Sequence, residues 1–130
     1  MTPSDINRYV GLQWSAGARG PEAFDCWGLL REVQAAHFGK AIPDVPEFGA
    51  IARDMYDERM NSREWEIVDK PFHGAGVLMR GGVDPHVGVW LDLEGGGALH
   101  SMERVGVIWS PRATLRVLGF SRLKFYRFHV

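Results

Sequence analysis

Apolar residues along this chain change their spacing near its middle. Ile6, Tyr9 and Val10 stand at i, i+3 and i+4 ahead of Gly11, which predicts a short helix with a glycine stop. Ser15 to Ala23, carrying Gly17, Gly20 and Pro21, reads as a loop. The strongest helical signal comes next: Asp25 is a capping residue, and Leu29, Leu30, Val33 and Ala36 form an apolar stripe that runs until Gly39. That helix begins at or beside Cys26. Ile51, Met55 and Met60 suggest a further helix after the connection from Pro43 to Gly49.

From Trp65 onward the apolar segments are short and separated by Gly, Pro and Asp, as the strands of an antiparallel sheet are. Val77 to Arg80, His86 to Leu91, Gly97 to Met102 and Val105 to Trp109 are the expected strands. Ser110 followed by Pro111 has the form of a cap and first helical position, with the short helix reaching about Leu118 and a last strand from Leu123 to Phe128. Helices first and strands afterwards predict an α+β fold, N-terminal helices packed on a C-terminal antiparallel β-sheet.

Composition narrows the picture. A chain of 130 residues with 45% hydrophobic residues fits one domain, 1–130, with no repeat or low-complexity seam. Sixteen glycines favour tight turns between short strands. With 15 Lys and Arg against 16 Asp and Glu, no basic patch for nucleic acid or an anionic membrane is visible. Nucleic acid and membrane insertion are therefore not expected. The first twelve residues lack the pattern of a signal peptide. One cysteine excludes an internal disulfide and leaves a thiol that is either buried and inert or reactive.

Cys26 follows a glycine-bearing loop and opens a helix, where about half a positive charge and free backbone N–H groups favour a thiolate. The same N–H groups suit an oxyanion in acyl transfer. Two of the five histidines lie in strand-like segments. Alternation sends Val87, Val89 and Leu91 to one face and His86, Gly88 and Trp90 to the other, so His86 points away from the apolar core face. His100 falls opposite Leu99 in the same way. Strands joined by the Asp92 to Gly96 turn would bring both imidazoles to one face near the start of the Cys26 helix, with His86 as base and His100 orienting it. Cys26, His86 and His100 lack the close-spaced ligand pairs of zinc motifs, so neither metal nor cofactor is expected. His37 at a helix end, His73 in a turn and His129 at the terminus have plainer readings.

Asp25-Cys26-Trp27-Gly28-Leu29, His86-Val87-Gly88-Val89-Trp90-Leu91 and Leu99-His100 occur in that order. This ordered set resembles the NlpC family of cell-wall cysteine peptidases, in the form found in bacteriophage tail proteins, from about Asn7 through Ser101. The resemblance implies a reduced papain-like fold and a Cys26, His86, His100 triad. It implies cleavage of peptidoglycan stem peptides, typically between D-glutamate and a diamino acid. It also implies other phage tail-tip proteins as partners: the protein would be made in the host cytoplasm and carried by the virion to the wall.

Two positions depart from the family pattern. Trp14, twelve residues before Cys26, stands where a tyrosine often supports the oxyanion, and its indole N–H is also a donor. Trp27 stands where a serine often joins the preceding aspartate in binding a free amine. Asp25 then binds an ammonium or caps the helix, and Trp27 is a wall of the cleft or core. Two further functions fit the same residues: a catalytically silent tail-tip module, and a thiol acyltransferase.

Overall fold

The computed structural model describes residues 1–44, 65–81 and 85–130. Its elements are α1 (Pro3–Asn7), α2 (Cys26–Phe38), β1 (Trp65–Val68), β2 (Gly76–Arg80), β3 (His86–Leu91), β4 (Gly97–Met102), β5 (Gly106–Pro111), α3 (Arg112–Val117) and β6 (Arg122–Phe128). The strands form one antiparallel sheet in the order β1-β6-β2-β3-β4-β5. The α+β organisation expected from the sequence is present. The helix expected around Ile51, Met55 and Met60 lies outside the described residues.

Helix α2 exists for the reasons its sequence carries. The Asp25 side chain accepts from the Gly28 N–H, which satisfies one of the free donors of the first turn, and Gly39 ends the helix in the left-handed conformation at φ 67°. Cys26, Leu29, Leu30 and Val33 pack with Val87, Val89, Leu91 and Leu99 of β3 and β4, so α2 lies across one face of the sheet. Ala36, expected in that stripe, is exposed. Gln34 is buried instead, because its side-chain amide donates to the Gly74 carbonyl at 2.9 Å and this offsets its desolvation.

The other sheet face is not solvated. Ala75, Val77, Met79, Trp90, Ala98, Leu115 and Phe125 form a second cluster beneath α3. The alternation expected in β3 holds in direction, and both of its faces are buried.

Three boundaries moved. The first helix stops at Asn7, and Arg8 to Gly11 is a turn. Trp65–Val68 is a strand, paired with β6 from Trp65↔Phe128 to Val68↔Phe125. Ser110 and Pro111 belong to β5, with Ala98↔Ser110 and Gly97↔Pro111 in register, so Ser110 is not the expected helix cap. The N-cap position is Pro111, which makes no side-chain capping bond.

Gly28 carries a specific steric requirement. A Cβ there would stand 2.3 Å from the Ala18 carbonyl oxygen and 3.2 Å from Asp25 Oδ1. The loop before α2 thus presses its backbone on the first helical turn, and Ala18 O also accepts the Asp25 N–H. Gly28→Ala is expected to destabilise the protein by roughly 1–3 kcal/mol despite the better helix propensity of alanine, read as a lowered urea midpoint. An unchanged or raised midpoint would contradict that packing.

Candidate active site

The site follows from how β3 and β4 part. Their pairing covers Val89↔Leu99, Trp90↔Ala98 and Leu91↔Gly97, beside the turn, and stops there. Toward the other end, β3 stays paired with β2 through Met79↔His86, and β4 stays paired with β5 through Met102↔Gly106. Trp90 exchanges its backbone bonds with Gly74 and Ala75 on the β2 side, so by alternation Val87 and Val89 direct theirs toward β4. Beyond Val89 that direction has lost its strand.

The start of α2 takes the vacated place. Phe24 O accepts from Ser101 Oγ of β4 at 2.7 Å, which fixes the entry to the helix. The Val87 N–H points to the Cys26 thiol, as do the backbone N–H groups of Trp27 and Cys26 itself. Cys26 therefore sits among three backbone donors, against the residue that follows His86.

His86 and His100 meet on the opposite sheet face. His86 Nε2 lies 2.8 Å from His100 Nδ1, and His100 Nε2 lies 2.9 Å from Ser110 Oγ. The His86 ring also stacks on Phe120, centroids 5.3 Å apart and planes 12° from parallel. Gly88 makes room for this pair: a Cβ there would be 2.9 Å from His100 Cβ and 2.8 Å from Leu99 O. The structure thus joins the two imidazoles and adds Ser110. The expectation of a cap at Ser110 follows from Ser-Pro as a common helix entry; its alternate position from Ile108, the partner of His100, is the sequence signal for its place on the histidine face. No hydrogen bond joins the Cys26 thiol to either ring.

Electrostatics alter the sequence expectation. Burial pushes the Cys26 thiol up to about 12, the Asp25 charge adds to this, and the three N–H donors oppose it without prevailing. Cys26 is 6% exposed, so the resting thiol is protonated rather than a helix-stabilised thiolate. Burial, then the neighbouring His100, lowers His86 to about 3, and burial lowers His100 to about 4. At neutral pH Cys26, His86 and His100 are therefore all uncharged. Native Cys26 should then resist iodoacetamide through pH 9 and react rapidly once urea unfolds the chain, as followed by mass spectrometry. Fast native alkylation at pH 7 would contradict a buried, protonated thiol.

The neighbouring positions are committed elsewhere. Asp25 is buried; its Oδ1 accepts from Gly28 N–H at 2.7 Å and pairs with Arg19 at 2.6 Å, and its Oδ2 accepts from Gly17 N–H at 3.2 Å. Of the two roles expected for it, the structure shows the helix cap, together with a cation of its own in Arg19. Trp27 is 3% exposed, stacks on Trp65 at 5.7 Å and donates to the Pro43 carbonyl at 3.2 Å. It is core rather than a cleft wall. Trp14 is half-buried in the preceding loop, and no hydrogen bond or ring contact ties it to Cys26 or the histidines.

Among the described residues, no three His, Cys, Asp or Glu side chains group as metal ligands. No described helix is long and apolar enough to cross a membrane. Comparison with protein-family models and with curated proteins gives no match to this chain.

Proposed function

We propose that this chain is a cysteine hydrolase of reduced papain-like fold that cleaves peptide stems of peptidoglycan, with Cys26 as nucleophile and His86 as base. The observation that carries the reading is the hydrogen-bonded chain His86, His100, Ser110, which starts at the residue next to Val87, whose backbone N–H lowers the pKa of the helix-start thiol. If His86 Nε2–H donates to His100 Nδ1, and His100 Nε2–H to Ser110 Oγ, both rings are neutral and His86 Nδ1 keeps a lone pair for the thiol proton.

Attack then transfers the Cys26 proton to His86 as sulfur bonds to the amide carbonyl carbon. The oxyanion is held by backbone N–H groups. Collapse breaks the C–N bond, and the imidazolium returns its proton to the departing amine. Water, deprotonated by His86, releases the acid and restores the thiol. Because resting Cys26 is neutral, proton transfer accompanies attack instead of preceding it. The D-glutamyl to diamino-acid bond, and a place in a phage tail tip that carries the domain to the wall, come from the resemblance of the three motifs.

A second reading has its own support. The buried thiol, the cap role of Asp25 and the core role of Trp27 also suit a tail-tip module that keeps the fold without the chemistry. Incubation with purified peptidoglycan separates the two, with soluble muropeptides followed by mass spectrometry. Release by the protein and none by Cys26→Ala is expected of the hydrolase; equal release, or none from either, favours the module.

A further inference from the structure

Like charges stand side by side on the sheet face that carries Cys26. Arg80 of β2 and Arg122 of β6 are direct partners in the antiparallel register, and opposed residues share a face. Leu78, two residues before Arg80, packs in the cluster that holds Cys26, so Arg80 and Arg122 face that side. Gly81 confirms the parity: its Cβ direction meets Gly119 and Phe120 beyond α3, on the other side. Lys124 lies in register with Leu78 on the same face, and Leu78 is in turn the partner of Val87, whose N–H reaches the thiol. The arginine pair is one row further along, about 7 Å from that row.

Opposed like charges destabilise a sheet, and among the described strands no other register pairs them. At the far end of β6, Arg127 is in register with Glu66 and approaches it at 3.7 Å. Arg19 and Arg31 both pair with Asp44. Arg80, Arg122 and Lys124 have no acidic partner among the described residues, and the buried Arg80 Nε has no hydrogen-bond acceptor. A guanidinium N–H that is neither solvated nor bonded fits a site organised for an anion that completes it.

We propose that Arg80, Arg122 and Lys124 form an anion-binding subsite on the sheet face that carries Cys26, two to three strands and so about 10–15 Å from the thiol, that receives a carboxylate of the substrate peptide. As a substrate subsite it rests on the hydrolase reading, and it adds a charge requirement. With Asp25 already paired to Arg19, recognition at this end is through acid groups of the substrate rather than its amine. Arg80, held in place by its partly buried stem, offers a fixed fork, while Arg122 and Lys124 at the surface add attraction that salt weakens.

The test uses the full chain carrying Cys26→Ala, titrated calorimetrically with a synthetic stem tetrapeptide bearing free carboxylates and with its fully amidated counterpart. The acidic peptide should bind at least about fivefold more tightly, and 0.5 M salt should erase most of the difference. Arg122→Gln and Lys124→Gln, both at exposed positions, should each reduce that preference, whereas Arg116→Gln on α3, across the sheet, should leave it unchanged. Equal binding of the two peptides, no binding of either, or a preference untouched by Arg122→Gln with Lys124→Gln would overturn the subsite. Muropeptide release reports separately on the chemistry. Release without a carboxylate preference removes the subsite and keeps the hydrolase; an Arg122-dependent preference without release keeps the anion site and removes the hydrolase.

Discussion

Lowering the pH from 7 to 5 should cost the folded protein up to about 4 kcal/mol, a large share of the roughly 5–15 kcal/mol by which domains are usually stable. The loss comes from His86 and His100. In the unfolded chain each takes up a proton near pH 6.5, whereas in the fold burial, and then the neighbouring His100, hold His86 at about 3, and burial holds His100 at about 4. Above pH 6.5 both states are neutral, and the two rings add no pH dependence. Between pH 6.5 and the folded values only the unfolded chain binds the protons, so stability falls as pH falls. At 1.36 kcal/mol per pH unit, each ring contributes roughly 2 kcal/mol by pH 5, an upper bound for His86, which is partly exposed. Urea midpoints at pH 7, 6 and 5 measure the slope, and His100→Gln should flatten it. A pH-independent midpoint over that window would mean that the imidazoles are not held neutral in the fold.

That sensitivity has a structural origin which the sequence carries only in part. Asp25 and Gly39 bound α2 by local chemistry, and the period-two pattern of His86 to Leu91 and Gly97 to Met102 gives those strands their ends. Burial of both sheet faces was not legible. Gly88 and Ala98 are small, Trp90 is a single large residue among them, and the covering helix has six residues, too few for a periodic signal. An alternation that signals one wet face therefore concealed a second core, and with it the desolvation that lowers both histidines. The same shortfall applies at Cys26. A helix start favours a thiolate in solution, but the parting of β3 and β4 draws the helix start inside, and desolvation outweighs three N–H donors.

The Arg19 to Asp25 pair illustrates a different limit. Asp25 was visible as a cap, and its neighbours in sequence gave no sign that a cation six residues earlier would close on it. The loop before α2 is tied to Asp25 through the Gly17 N–H as well as Arg19, a path set by tertiary contacts rather than by periodicity. The register of Arg80 and Arg122 is likewise invisible until β6 is placed beside β2, because the two residues are distant in the chain.

His86→Ala should lower kcat/KM on a peptidoglycan stem peptide by about 10²–10⁴-fold, the range set by loss of a positioned general base. The effect is expected to be larger than for a pre-formed ion pair, because Cys26 at about 12 supplies almost no thiolate at neutral pH and depends on transfer to His86 during attack. Ser110→Ala should act through His100, with a smaller loss borne mainly by kcat, since Ser110 touches the second ring rather than the thiol. The pH profile distinguishes this from a merely structural defect. With His86 lowered to about 3, the acidic limb of kcat/KM lies well below 6.5 in the native protein, bounded in practice by acid unfolding. Burial is the larger cause of the lowered His86 value and the neighbouring His100 the smaller, so His100→Gln should move the limb upward by less than a full return to 6.5 while the fold at pH 7 is retained. A limb already near 6.5 in the native protein, or a His86→Ala variant with undiminished turnover, would show that another group takes the Cys26 proton.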